Sequence, residues 1–530
     1  MAPLYLCLAL SAMVLALILR LRTTRSKLPL PPGPRKLPLV GNLFDLPSAF
    51  EWKAYMEWSR EYDSDVIHLD LAGQSLIVLS SAKATDDLLE KRSSMYSDRS
   101  SFPMLVDLMG WDFNLSLMKY GTNLIHLGTL NKLLMPYCLH LGAMWRTHRR
   151  LFNQAFSQTA AKKFHPTELK AAHGLLRRLL HGPEDFRQHI RQMAGETIMS
   201  LTYGIDVLPA HDPYISLAEE AVNSAAVATI PGKFLVDSIP MLKHIPDWFP
   251  GAGFKRRARE WRKLSRRVQE VPFNEVKHQI SSGTTPYSFA AQCLENLSES
   301  KDAYYTEETV QRTAAVVYIA GSDTIITVLS TFVLAMLANP EAQKKAQAEI
   351  DSVTGQTRLP DFNDQDALPY VSALVKEVLR WRPATPIGVP HFLPVEDEYR
   401  GFRIPANSIV IGNAWAILQD EAMYPDPLAF KPERFLLDGK PNPHVREPQA
   451  VFGFGRRICP GRHMAAESVW MSVASILAAL DITKAVAEDG QVIEPTYEYL
   501  SELISAPAPF KCSIRPRSRD LAALVEATVN

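Results

Sequence analysis

From about residue 140 to 385, apolar positions recur at the three- and four-residue spacing of amphipathic helices, so this stretch is predicted to be helical almost throughout. Shorter β-type runs, Ile77-Val78-Leu79 and Ser408-Ile409-Val410-Ile411, lie toward the two ends and predict small sheets. One long helix is expected from about Thr306 to Ala338, with Glu307 and Glu308 suited to its N-terminus. Asn339-Pro340-Glu341 starts another, which ends at Gly355 as a left-handed C-cap would end it. A later helix, about Pro369 to Trp381, places Val371, Leu374, Val375, Val378 and Leu379 on one buried stripe. The fold class is therefore mainly α with small β-sheets.

The N-terminus follows a different pattern. Residues 2–19 carry no charge, and a helix of that length rises about 27 Å, close to the thickness of a bilayer core. A transmembrane anchor is expected there; a cleaved signal peptide would need a basic leading segment and a small-residue cleavage site, and neither is present. Arg20, Arg22, Arg25 and Lys27 crowd the C-terminal flank, which leaves the rest of the chain in the cytosol as a single-pass protein of the endoplasmic reticulum membrane. Residues 20–41 form a basic stop and a proline-rich hinge, Pro29-Leu30-Pro31-Pro32-Gly33-Pro34, whose stiffness should hold the globule off the membrane. Residues 42–515 are expected as one domain and 516–530 as a C-terminal tail, since no linker, charge block or repeat divides the chain after residue 45.

Composition narrows the function. With 530 residues, 47% hydrophobic and 22% charged, the chain has an ordinary globular composition. Its 57 basic and 57 acidic residues cancel, giving no electrostatic case for nucleic acid. Cys7, Cys138, Cys293, Cys459 and Cys512 are odd in number, scattered and never paired as CxxC, so no disulfide framework or cysteine-based zinc site is signalled. Two sequons, at Asn114 and Asn296, are expected to stay unglycosylated on the cytosolic side.

A lone cysteine is usually a small buried hydrophobe. Cys459 has a context that changes this reading: Phe452, Gly455, Arg457, Cys459 and Gly461 match FxxGxRxCxG at all five named residues. Glycine at 455 and 461 permits conformations and close approach that a Cβ would block, and Arg457 supplies a fixed positive charge for a propionate. By this match the chain resembles the cytochrome P450 monooxygenases, over roughly residues 30 to 515. The resemblance implies the α-rich fold of that family, haem b (iron protoporphyrin IX) as cofactor and Cys459 as the axial thiolate ligand of its iron.

The resemblance also gives meaning to weaker signals. In Ala320-Gly321-Ser322-Asp323-Thr324 a mid-helix glycine costs about 1 kcal/mol relative to alanine. Either small residues open a groove where a hydroxyl and a carboxylate relay protons to dioxygen, or two helices pack closely. The resemblance assigns proton delivery to Asp323 and Thr324, with Ile325 standing where many relatives carry a second hydroxyl. Glu377 and Arg380, by spacing alone an exposed pair worth a few tenths of a kcal/mol, become with Arg434 a structural triad rather than catalytic residues. Trp145 and Arg149 resemble the family's WxxxR segment, which reaches the propionates; the alternative is an amphipathic surface turn. His391, after Val389-Pro390, matches a position near a propionate. One departure stands out: relatives commonly run Tyr-Gly-x-x-Trp, whereas Tyr120-Gly121 is separated from Trp145 by residues 122–144. The alternatives are a substrate-loop insertion and translated intron sequence.

The activity implied is insertion of one atom of dioxygen into a lipophilic small molecule. No GxGxxG fingerprint or flavin module is present, so electrons are expected from a membrane-bound NADPH–cytochrome reductase. Substrate choice is expected to rest with residues 102–117, 314–324 and 383–389. The run around Trp111 and the surroundings of Phe249 to Phe254 resemble fungal secondary-metabolism hydroxylases such as O-methylsterigmatocystin oxidoreductases and tryptamine hydroxylases. The competing classes are a thiolate-haem isomerase or dehydratase and a non-catalytic haem-binding membrane protein.

Overall fold

The computed structural model describes residues 28–121, 135–230 and 232–529. The anchor expected at 2–19 and the basic stop at 20–27 lie outside the described residues.

The principal helices are α1 (Glu51–Glu61), α2 (Met135–Phe156), α3 (His165–His181), α4 (Phe186–Tyr203), α5 (Pro213–Thr229), α6 (Gly253–Ser282), α7 (Glu307–Gly321), α8 (Asp323–Ala338), α9 (Pro340–Thr354), α10 (Pro369–Trp381), α11 (Arg462–Ala479) and α12 (Arg519–Glu526). The largest sheet contains β1 (Val66–Leu71), β2 (Gln74–Leu79), β3 (His391–Leu393) and β4 (Ser408–Gly412), in the order β1-β2-β4-β3. The two β-type runs read from opposite ends of the chain are direct neighbours, paired in parallel with Ile77 opposite Val410. A second sheet pairs β5 (Leu480–Lys484) with β6 (Cys512–Pro516).

Local chemistry explains most boundaries. Thr306 accepts the N–H of Thr309 at 3.2 Å and caps α7, while α9 ends on Gly355 at φ +60. The predicted stripe of α10 is buried, and Glu377 and Arg380 are buried with it.

One expectation changes. The single helix from Thr306 to Ala338 is interrupted at Ser322, which separates α7 from α8; a Gly-Ser pair is a weak point in a helix. The described part of the hinge is bonded to the globule: the carbonyls of Pro29 and Pro32 accept the N–H groups of Arg403 (2.8 Å) and His68 (2.9 Å). Within the C-terminal segment α12 buries Leu521 and Val525, one turn apart, and Val525 joins a core cluster. Among the described residues one apolar run, Glu307–Ala338, is long enough to cross a membrane, and it is mostly buried inside the protein.

The core divides into two large clusters. One joins α3, α8, α10, α11 and the first half of α4. The other joins α7, the second half of α4, parts of α2, α5 and α6, and residues 104–120. The seam between them passes through Ser322, through the middle of α4, and between Met464 and Val469 on α11. Ligand sites favour such junctions, where neither core closes over the other.

Candidate active site

The cysteine loop lies at the N-terminal edge of α11, beside that seam. Two short 3-10 turns, Gln449–Phe452 and Gly455–Arg457, lead into it, and the Cys459 N–H closes it by donating to the Phe452 carbonyl at 2.8 Å. Gly455 is required by the turn: its φ is +57, and a Cβ there would stand 1.9 Å from the Leu89 carbonyl oxygen. Its own N–H donates to Glu90 Oε1 at 2.6 Å.

Gly461 is open on one side. Its φ is −87, and an added Cβ would meet no protein atom within 4 Å. Protein sterics therefore do not demand glycine at 461; the side it leaves open is space. Cys459 is half-buried as a residue, with its thiol deeply surrounded by protein. Burial pushes its thiol up, opposed by the Gly461 N–H and by the charges of Arg149 and Arg462.

Positive charge gathers here. Arg457 donates to the carbonyls of Ser97 (2.7 Å), Leu115 (3.0 Å) and Met118 (2.6 Å), and its guanidinium stacks 4.7 Å from the centre of the Trp145 ring. Burial and the neighbouring Arg99 hold it well below the usual arginine range, with Asp98 opposing. His391, buried on β3, donates its Nδ1–H to the Tyr96 carbonyl at 2.8 Å. Burial, then Arg99 and Arg457, keeps the ring neutral. Arg149 is lowered to about 10 by burial, partly offset by Cys459. The structure thus brings Cys459, Arg457, Arg149, Trp145 and His391 together, and Trp145 is a buried residue rather than part of a surface turn.

Two participants escaped the sequence reading. Arg99 donates to the carbonyls of Ser116, Val389 and Pro390 at 2.7 to 2.8 Å, but no spacing marks it among its neighbours. Arg462 follows the cysteine motif and donates to the Cys459 carbonyl at 3.1 Å; its place as the first residue of α11 was the available signal.

Tyr120-Gly121 and Gly142 adjoin in space. A Cβ on Gly142 would lie 2.7 Å from the Tyr120 carbonyl oxygen and 3.5 Å from the Gly121 Cα. Tyr120 also packs edge-on to Trp145 with ring centres 5.0 Å apart. The chain therefore leaves and re-enters the site at one point, and the Tyr-Gly to Trp geometry survives the intervening residues.

On α7 and α8, Ala320 is exposed and residues 321–324 are partly so, between flanks that are buried. Gly321 fits close packing, since a Cβ would stand 2.4 Å from Ile198 Cδ1 on α4. Thr324 Oγ1 donates to the Ala320 carbonyl at 3.1 Å. Asp323 lines a cavity of about 10 Å³ with Arg191, Glu219 and Tyr318, and burial pushes its carboxyl up, with Arg191 opposing.

A thiolate-bound, dianionic macrocycle fits this arrangement. Buried guanidiniums outnumber the carboxylate beside them and call for anionic neutralisation. Trp145 Nε1–H is buried without an acceptor, and the open side of Gly461 gives room beside Cys459. Residues 137–511 match the family model described as cytochrome P450. The chain belongs to the cytochrome P450 family. It is 45% identical to cytochrome P450 monooxygenase 98 of Postia placenta, over 96% of this chain and 95% of the relative. Identity is 43% with cytochrome P450 monooxygenase ple1 of Rhodocybe pseudopiperita (94% and 91% covered). It is 38% with tryptamine 4-monooxygenase of Psilocybe cyanescens (94% and 95% covered). Like these relatives the protein is a haem-thiolate monooxygenase, an oxidoreductase using haem b, dioxygen, a small-molecule substrate and a reductase partner.

Proposed function

We propose that Cys459 is the thiolate ligand of the haem iron, that Arg457, Arg149, Trp145 and His391 hold the propionate side, and that the substrate is a lipophilic small molecule of fungal secondary metabolism. The convergence of Cys459 with a buried excess of arginine carries this reading. Haem b, when bound, supplies one-electron and dioxygen chemistry.

The chain's own residues orient, exclude water and move protons. Cys459 would hold the iron as its thiolate, a form that burial opposes and that the Gly461 N–H and the charges of Arg149 and Arg462 favour. Arg457, fixed by three backbone carbonyls, presents a preorganised charge. Asp323, whose carboxyl is pushed up by burial, precedes Thr324 in the chain, and the Thr324 hydroxyl donates to the Ala320 carbonyl at the break between α7 and α8. The cavity of about 10 Å³ that Asp323 shares with Arg191 and Glu219 sets two further charged side chains beside the carboxyl. Met104, Leu105, Met109, Trp111, Phe113 and Leu115 share a buried cluster with Ala314–Ile319 of α7, which supports an apolar substrate wall. Kinship with a tryptamine 4-monooxygenase supports the secondary-metabolic setting.

We further propose that residues 2–19 anchor the protein in the endoplasmic reticulum membrane and that a membrane-bound NADPH–cytochrome reductase supplies electrons; the uncharged apolar run and its basic flank support this. Co-expression with such a reductase and a screen of lipophilic aromatics and terpenes should yield products heavier by one oxygen. Thr324→Ala should retain haem and divert electrons to peroxide. Unchanged coupling in that variant would remove the proton-delivery role.

A further inference from the structure

His165 and Glu168, one turn apart at the start of α3, face Glu467 on α11. One ligand atom from each lies within 4.8 Å of the others. His165 Nε2 is 3.2 Å from Glu467 Oε2, and the His165 ring is stacked on Phe362 with centroids 3.7 Å apart. Glu168 is 2% exposed, and neither of its carboxylate oxygens has a hydrogen-bond partner. A buried carboxylate left without any donor is costly, and this one also faces a second acid.

We propose that His165, Glu168 and Glu467 bind a divalent cation of the zinc class, clamping α3 to the helix that follows the cysteine loop. A dication balances the two carboxylates and gives Glu168 the partner it lacks. One imidazole nitrogen with two carboxylate oxygens is a donor set for a borderline cation. Tetrahedral ligands at about 2.1 Å stand about 3.4 Å apart. His165 and Glu467 already meet that separation, and a side-chain adjustment of roughly an ångström brings in the remaining oxygen. His165 and Glu467 keep partial exposure, so an ion has an entry path and a fourth position for water. His463, one turn before Glu467, is the nearest further imidazole on α11, and Glu467 acts on its charge. A protonated Glu168 bonded to Glu467 is the competing arrangement: burial and Glu467 both push the Glu168 carboxyl up.

The test uses the full-length haem-loaded protein, stripped of loosely held metal and dialysed against zinc chloride, with zinc and iron counted separately. The wild type should hold one saturable zinc per haem, and its Tm should rise with free zinc. His165→Gln and Glu467→Gln should each lose that equivalent and the zinc-dependent rise while keeping the haem spectrum. No saturable equivalent in the wild type overturns the proposal. So does an equivalent retained in both variants, which would locate the ion elsewhere, at the cysteines for example. Should Glu467→Gln fail to load haem, His165→Gln, at a partly exposed position, decides the matter alone.

Discussion

Replacing Glu377 by alanine tests how the helix before the cysteine loop is held. Glu377 and Arg380 are fully buried. Arg380 donates to both Glu377 oxygens at 2.8 Å, Arg434 donates to the same carboxylate at 3.1 Å, and the Lys431 N–H adds a bond at 2.8 Å. Arg380 also ties down the carbonyls of Leu418 (2.9 Å) and Pro427 (2.8 Å). Truncation would leave two guanidiniums, at 0% and 5% exposure, without their anion. Breaking such a buried pair costs about 3–5 kcal/mol. For 530 residues the unfolding entropy is roughly 1.1 kcal/mol per degree, so Tm should fall by about 3–5 °C. Lys376→Ala on the same helix serves as the control: its 2.6 Å bridge to Glu447 joins a half-buried lysine to an exposed glutamate, and a solvent-accessible pair is worth about 0–1 kcal/mol. Differential scanning calorimetry of the haem-loaded proteins reads both. A Glu377→Ala transition within about 1 °C of wild type, or matched by Lys376→Ala, would refute the reasoning.

Two further perturbations follow. Deleting residues 122–142 joins Tyr120-Gly121 to Ala143-Met144-Trp145 across a gap the structure has already closed. Haem loading and the spectrum should survive, whereas a colourless product would show that the segment is integral to the pocket. His148 is pushed down to about 3 by burial and Arg312; it hydrogen-bonds Thr313 Oγ1 at 2.7 Å, and its Nε2 has no partner. Because its folded pKa lies below the unfolded value, stability is full above about pH 6.5 and falls as pH drops toward 3, by up to about 1.4 kcal/mol per pH unit. Urea midpoints at pH 7 and 5 should converge more closely in His148→Gln than in wild type, and an unchanged difference would contradict the assignment.

Much of this molecule was readable from spacing, and the remainder depends on partners remote in sequence. Periodicity found α10 because its stripe faces a single core, and Gly355 marked the end of α9 through its required positive φ. The break at Ser322 was hidden because Ile319, Ile325 and Ile326 carry the apolar pattern across it while the cluster they join changes. The motif gave Arg457, but its carbonyl partners lie more than 300 residues away. Arg99 has no motif at all. Glu377 and Arg380 at a three-residue spacing looked like a surface pair, since only Arg434 and the loop carbonyls explain their burial. Gly455 is explained by a protein contact, the Leu89 carbonyl, whereas Gly461 meets no protein atom and only the free space beside it is informative.

The central claim is that the Cys459 sulfur is the axial donor to the haem iron. Reduced, carbon monoxide-treated wild type should show the absorbance band of a thiolate-ligated haem, and Cys459→Ala, at equal haem content, should lack it. The same band persisting in the variant would contradict the account.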